Sequence, residues 1–379
     1  MPKDKPKSVF IYTTLPQVGG NSTIALRLVR LYRSVDCEVT VIVRRYEQTD
    51  GDSGLDESVA EEMKRCGART IFLSAKSSRA LLETYALWLK RLFLGDLFIS
   101  IGIGNLAASI CEFGRFRRKV LYYITHDPQV SELQSLGGKI KNFDDLIVIS
   151  GASIPGAQGL TNRPKRIDWF PQLSEHPFED IESSKQHDRK RMSFGFLGSL
   201  RYHKGFIELL EIWNRRKLDA DLYILGGGML QGDVIREAAK SDSIHYLGAF
   251  STQDASQKLP DFFSKIDWLL VPSTIHGEGI PTVILEGFCF GVPSISTLLG
   301  GTVYFLEEPL REPFQKFLRL IEPKDIERVI DELISNQTRL SHEEKVACRQ
   351  AYLAHFGDST LESKWLSLLE SGTRAGLTL

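Results

Sequence analysis

Short apolar runs rich in β-branched and aromatic residues recur along the first half of the chain: SVFIYT (8–13), EVTVIV (38–43), RTIFL (69–73), DLFISI (96–101), KVLYYIT (119–125) and DDLIVI (144–149). Each has the length of a strand, and most are separated by enough residues for a crossover helix. Continuous apolar strands spaced in this way predict a parallel sheet covered on both faces, because only a strand buried on both sides dispenses with polar alternation. The first run leads into a turn with Gly19 and Gly20 and then into NSTIALRLVRLYRS (21–34), with Asn21 or Ser22 as the predicted N-cap.

The pattern breaks over the polar, charged stretch 174–191 and then starts again. SFGFLG (193–198), DLYILG (221–226), IHYLG (244–248), DWLLVP (267–272) and VPSIS (292–296) read as further strands. Between the first two, FIELLEIWNRRK sets Phe206, Leu209, Leu210 and Trp213 at i, i+3, i+4 and i+7, one apolar stripe. The closing segment DSTLESKWLSLLE is a capped amphipathic helix with Leu361, Trp365, Leu368 and Leu369 on one side. The expected fold is α/β, two Rossmann-like doubly wound domains facing across a cleft. They span 1–173 and 192–355, with a polar linker at 174–191 and a C-terminal helix at 356–379. In such sheets ligands sit beyond the carboxyl ends of the strands.

Composition narrows the class. A chain of 379 residues suits two domains that each bury a core, and 42% hydrophobic with 25% charged residues is typical of soluble globular proteins. Forty-seven Lys and Arg against 48 Asp and Glu give no reason to expect nucleic acid as a partner. The five cysteines are scattered without a C-x-x-C pair, as in a cytosolic protein with reduced, buried thiols. The charged first residues and the short apolar stretch before Pro16 do not make a secretory signal. No run approaches the ~20 apolar residues of a membrane span. The expected location is the cytoplasm, with self-association and peripheral contact at the inner face of the cell membrane left open. MPKDKPK and RFRRK (115–119) are basic, and read most simply as a solvated tail and a solvated face. In ALWLKRLFL (86–94), Trp88, Leu89, Leu92 and Phe93 fall at helical spacing, which suits a core-facing helix or one lying in a membrane interface.

The densest chemistry lies between His276 and Gly301, HGEGIPTVILEGFCFGVPSISTLLGG. Glu278 stands at a glycine-rich turn before Gly279 and Pro281, where freed amides can face an anion. Glu286 follows eight residues later, a net rotation of about 80°, so both carboxylates share one wall. That arrangement suits a ligand that is part sugar and part phosphate. Other features follow predicted strand ends: Gly19 and Gly20, His126 with Asp127, GSLRYHKG (198–205) and Gly226 to Gly228. Lys204 stands where a helix begins, as a compact point charge. Each has a plainer reading, as a structural histidine, a surface lysine or a tight turn, and it is their combination that favours a diphosphate site. The glycines at 19 and 20 lack the G-x-G-x-x-G fingerprint, which disfavours a dinucleotide-dependent oxidoreductase, and no G-x-x-x-x-G-K-[ST] loop is present.

With these residues in view, the second half resembles the retaining, nucleotide-sugar-dependent glycosyltransferases of the GT-B type, particularly the large bacterial family 4. Their G-[RS]-L-x-x-x-K-G element, glycine-containing strand end and E-x7-E motif running into G-x-P-V-[IV] read here as GSLRYHKG, LGGG and EGIPTVILEGFCFGVPSIS. The resemblance is specific from about Ser193 to Gly301 and weaker over the N-terminal half. It implies that Lys204 binds the donor diphosphate, that Glu278 contacts hydroxyls of the transferred sugar and that Glu286 clasps the ribose. The amides around Pro281, Thr282 and Val283 would lie against sugar and phosphates, beside Gly226 and Gly227, while Tyr246 and Leu247 would border the base. Gly19 and Gly20 look like the glycine loop near the diphosphate, and His126 like the acceptor-side histidine. Lys204, Glu278 and His126 would thus be the catalytic set, the N-terminal domain would bind the acceptor, and the last helix would cross back onto it. Two departures stand out. Ser199 occupies a place where many members carry arginine, which leaves Arg201 as a substitute, and WFPQL (169–173) replaces the usual P-N-G-V-D signature.

The implied reaction moves a sugar from a nucleotide sugar, UDP-linked in preference to GDP-linked, to a hydroxyl of a saccharide, lipid-linked or protein-linked acceptor. It serves polysaccharide, glycolipid or glycoprotein synthesis. The anomeric configuration is kept by front-face attack, the leaving phosphate takes the acceptor's proton, and no D-x-D metal motif is needed or expected in the sequence. Other readings of the same cleft are a sugar-nucleotide 2-epimerase and a non-catalytic partner of an active transferase.

Overall fold

The computed structural model describes residues 6–15, 20–45, 57–74, 76–89, 93–102, 104–125, 129–135, 137–171, 191–249, 255–274, 280–298, 300–306 and 310–370. The chain forms two compact units, one of residues 1–173 with 361–379 and the other of residues 174–360. No described helix is long and apolar enough to cross a membrane.

The first unit contains strands β1 (Ser8–Leu15), β2 (Glu38–Arg45), β3 (Arg69–Leu73), β4 (Leu94–Ile101), β5 (Arg115–Tyr123), β6 (Asp145–Val148) and β7 (Arg166–Trp169). Its helices are α1 (Gly20–Ser34), α2 (Glu57–Arg65), α3 (Ser77–Leu89), α4 (Asn105–Phe113), α5 (Ser131–Ser135) and α6 (Ile154–Gln158). The strands pair in parallel in the order β3-β2-β1-β4-β5-β6-β7. Strand order reverses between β1 and β4. Val9, Ile11, Ile99 and Val120 from the sheet pack with Leu28 and Tyr32 of α1 in one apolar core.

The second unit contains β8 (Met192–Leu197), β9 (Ala220–Leu225), β10 (Ile244–Tyr246), β11 (Trp268–Val271), β12 (Ser294–Thr297) and β13 (Leu318–Ile321). Its helices are α7 (Phe206–Arg216), α8 (Gln231–Ala238), α9 (Ala255–Ser264), α10 (Thr282–Cys289), α11 (Arg311–Phe314), α12 (Ile326–Asn336) and α13 (His342–Phe356). The order is β10-β9-β8-β11-β12-β13, again parallel throughout, so this sheet switches direction between β8 and β11. Phe206, Leu209, Leu210 and Trp213 are all buried, as their helical period requires. A last helix, α14 (Asp358–Leu366), carries the chain back to the first unit. There Leu361, Trp365 and Leu368 join the core, and the Trp365 ring meets Tyr122 and Phe170 edge-on at 5.0 Å each.

Several local expectations are corrected. The basic tract RFRRK is the start of β5, with Phe116 buried against Phe98 at 5.0 Å while Arg115 and Arg117 face solvent. Arg118 is not solvated. It forms a forked pair with Asp145 at 2.6 and 3.1 Å and donates to the carbonyls of Ser367 and Leu368. The Trp88–Phe93 stripe is not a core-facing helix, because α3 ends at Leu89, which is exposed, while Phe93 is buried ahead of β4. Helix α1 starts at Gly20, which places Asn21 and Ser22 inside its first turn. Strands β7 and β13 were not expected. Both are four-residue edge strands with charged residues among the apolar ones, RIDW and LRLI. The expected linker lies almost wholly outside the described residues.

Candidate active site

In the second unit, β8 runs into the GSLRYHKG loop at the switch point of the sheet. The neighbouring strand ends are tied to that loop by main-chain bonds. Gly198 N–H donates to the Leu225 carbonyl (3.1 Å), Leu200 N–H to Gly227 (2.9 Å), and Gly226 N–H to Gly248 (2.9 Å). Gly226, with φ at +155°, lies so close to Gly198 that a Cβ would sit 1.9 Å from its carbonyl oxygen, so only glycine fits there. The Tyr246 hydroxyl closes the row by donating to the Gly226 carbonyl at 2.9 Å. Burial raises the Tyr246 pKa, so the phenol keeps the proton it donates.

Lys204 ends a single 3-10 turn, Tyr202–Lys204, and is half-buried. Gly205 follows with φ at +66°, and a Cβ on it would lie 1.9 Å from the Pro272 carbonyl oxygen. The turn is fastened to the end of β11 from its other side. The His203 carbonyl accepts from Thr274 N–H (2.9 Å), Thr274 Oγ1 (3.2 Å) and Ser273 Oγ (3.3 Å). Thr297 Oγ1 then donates to the Ser273 carbonyl at 2.5 Å, joining the end of β12 to the same frame.

Across from this loop, Pro281 is the N-cap of α10 and supplies no side-chain cap. The first amides of a helix have no partner within it and carry its positive end, so this start is a fit place for an anion. A cavity of about 210 Å³ is lined by the ends of β8 and β11 and the start of α10, including Ser199, Lys204, Pro281, Thr282 and Val283. One cation, a hydroxyl and a helix start thus converge at a sheet switch point, where open α/β sheets bind ligands.

The remaining expected residues divide into groups. Gly226, Gly227 and Leu247 lie in the adjoining loops and Tyr246 ends β10, with the Tyr246 hydroxyl committed to the backbone and Leu247 N–H donating to Ile224 at 2.8 Å. Glu286 is half-buried one turn into α10 and is not among the cavity-lining residues. Arg201 is exposed and also absent from the lining, whereas Ser199 is part of it. Gly20 is the first residue of α1 in the first unit. Gly19, His126 and Glu278 lie outside the described residues.

Sequence reasoning missed the Ser273–Thr274 fastening. Its one visible signal was a pair of hydroxyls directly after the strand-ending Pro272. It also passed over Gly102, Gly104 and Ala107, a G-x-G-x-x-A spacing between β4 and α4 at the switch point of the first sheet. Against the expectation of none, two D-x-D spacings exist. Asp50 and Asp52 lie outside the described residues, while Asp219 and Asp221 stand at the start of β9, away from the cavity, engaged with Arg191 and His245. No group of three or more His, Cys, Asp or Glu is placed to hold a metal among the described residues. None of the thiols is in a disulfide and most are buried, and burial pushes Cys289 up to about 11, which leaves it protonated and unreactive.

Residues 191–336 match the family described as Glycosyl transferases group 1. Over 144 residues the chain is 28% identical to the O-antigen chain mannosyltransferase C of Escherichia coli, covering 35% of this chain and 37% of that protein. The match therefore spans just over a third of that relative's length. A glycosyltransferase from Rickettsia africae ESF-5 superposes with a TM-score of 0.72 at 12% identity, covering 97% of this chain and 100% of that one. Anabaena HepE, solved with UDP and glucose, gives 0.64 at 14% identity over 97% and 100%. At these identities the structures speak for the fold alone, and the fold is GT-B, with two parallel-sheet α/β domains.

Proposed function

We propose that the protein is a retaining GT-B glycosyltransferase of family 4 that moves a sugar from a nucleoside-diphosphate sugar to an acceptor hydroxyl in bacterial polysaccharide synthesis. The observation that carries this is the cavity at the switch point of the second sheet, where Lys204 and the start of α10 meet. It falls inside the segment that matches the glycosyltransferase family. The E. coli relative's name places that protein in O-antigen chain synthesis, and HepE was solved with UDP, which supports a surface-polysaccharide product and a UDP-linked donor. At about 210 Å³ the cavity is below the roughly 300–1,000 Å³ of sites that enclose drug-sized ligands, so it suits one part of the donor, its phosphates or its sugar ring.

Charge dictates the division of labour. Breaking the anomeric C–O bond leaves negative charge on the diphosphate, and donors held ready at its oxygens lower the barrier by stabilising that charge as it forms. Lys204 and the α10 amides take this role, without a metal ion. Glu286 clasps the ribose, Glu278 binds hydroxyls of the transferred sugar, and His126 lies on the acceptor side. Tyr246 acts through the backbone, holding the Gly226 loop. The acceptor attacks the face that the diphosphate leaves, and the leaving phosphate takes its proton, so the enzyme supplies no nucleophile.

A screen of UDP- and GDP-sugars with candidate acceptors, read by released nucleoside diphosphate and by the product anomer in NMR, tests this reading. A transferred sugar with its donor configuration is expected. An inverted product removes the retaining assignment, and release of free epimerised nucleotide sugar without an acceptor would replace transfer by epimerisation.

A further inference from the structure

Four buried hydroxyls, those of Ser273, Ser296, Thr297 and Thr302, gather where β11 and β12 end beside the cavity. Each donates to a main-chain carbonyl, and together the bonds lead toward Lys204. Thr302 Oγ1, in the 3-10 turn Gly300–Leu306, donates to the Thr297 carbonyl at 3.1 Å. Thr297 Oγ1 donates to the Ser273 carbonyl at 2.5 Å, and Ser273 Oγ to the His203 carbonyl at 3.3 Å. The hydroxyl and amide of Thr274 arrive at that same carbonyl, and Lys204 is the next residue. Ser296 Oγ gives the Thr297 carbonyl a second donor at 3.2 Å.

A buried hydroxyl is costly unless it is bonded, and valine has nearly the shape of threonine and suits a strand as well. At the opposite edge of the sheet buried hydroxyls do no such work. Those of Ser193, near the start of β8, and Ser294, at the start of β12, make no hydrogen bond among the described residues. The bonded set thus belongs to the cavity end. Its far end is anchored in an aromatic cluster: Phe305, in the same turn as Thr302, meets the rings of Phe288 (6.0 Å between centres) and Phe314 (5.4 Å). Phe288 lies on α10, whose first residues line the same cavity as Lys204. One frame therefore joins the lysine turn to the helix start.

We infer that Thr297, supported by Thr302, is a positioning residue that fixes the spacing between Lys204 and the start of α10. Its effect on rate rests on the transferase reading, whereas the fastening does not. Valine at 297 would take a donor from the Ser273 carbonyl and loosen the end of β11 that holds the lysine turn. A catalytic charge displaced by a fraction of an ångström stabilises the departing phosphate less well. Thr302 matters less, because Ser296 still serves the Thr297 carbonyl when the Thr302 hydroxyl is lost.

Hydrogen exchange read by mass spectrometry, and release of nucleoside diphosphate, test the inference on the full chain. The amides of Lys204 and Gly205 are bonded to the Arg201 and Tyr202 carbonyls at 3.1 and 3.0 Å. In Thr297→Val they should exchange about tenfold faster, and turnover should fall about tenfold. Thr297→Ser should restore both, Thr302→Val should move each about threefold, and Ser294→Ala should move neither. In a Lys204→Ala background, Thr297→Val should slow turnover no further, since residues that act as a unit are not additive. Parent-like exchange at 204–205 or parent-like turnover in Thr297→Val would overturn the inference. An undiminished loss in the Lys204→Ala background would overturn it too, in favour of a general structural role. If the parent transfers no sugar, the proposed function fails, and exchange at 204–205 alone decides the fastening.

Discussion

Lys204 owes its place to residues that do not touch a ligand. Gly205 can turn left-handed and lie against Pro272 only because it lacks a Cβ. Gly205→Ala should therefore cost about 1–3 kcal/mol in backbone strain, before the clash with the Pro272 carbonyl is added. At about 2–4 °C per kcal/mol for a unit of this size, calorimetry should show a melting temperature lower by several degrees. Thr274 is a subtler test, since its hydroxyl bond to His203 is worth on the order of 1 kcal/mol. Thr274→Val should slow turnover about fivefold and lower melting by only about 2–4 °C, and Thr274→Ser should restore both. Equal rates in parent and valine variant would show that the hydroxyl does not position Lys204.

Among the elements, the C-terminal crossing depends on a small set of side chains in the first unit. Tyr32 donates to the Trp365 carbonyl at 2.9 Å, and Arg118 reaches both the Ser367 and Leu368 carbonyls while paired with Asp145. Arg118→Ala would strand Asp145, whose side chain is 5% exposed, at a cost of about 3 kcal/mol, and limited proteolysis should then release the C-terminal segment sooner. Replacing both members by apolar residues should be far milder. The same residues mark what could be read from sequence. Core strands such as FIYT and LYIL announced themselves because burial on both faces leaves only apolar side chains. Edge strands RIDW and LRLI did not, since each has a polar flank to satisfy. The GSLRYHKG loop and the α10 start were legible because they are local in sequence. The fastening of His203 by Ser273 and Thr274 was not, because it joins residues about 70 positions apart. Arg118 was misread for a similar reason: Asp145, 27 residues on, turns a charged tract into a buried pair.

At the scale of the whole molecule, two doubly wound sheets each have a switch point, and the described cavity lies at that of the second. The first sheet has its own G-x-G-x-x-A turn at its switch point. Glu286→Ala should weaken binding of the nucleoside diphosphate about tenfold, as loss of the hydrogen bonds that a carboxylate accepts from two ribose hydroxyls predicts, and calorimetry would read it. The central claim is that Lys204 meets charge formed on the departing diphosphate, and comparing Lys204→Ala with the parent tests it most directly. Release of nucleoside diphosphate from the preferred donor should fall about 10²–10³-fold, while binding of the free nucleoside stays unchanged. Transfer at the parent rate by Lys204→Ala would contradict the account.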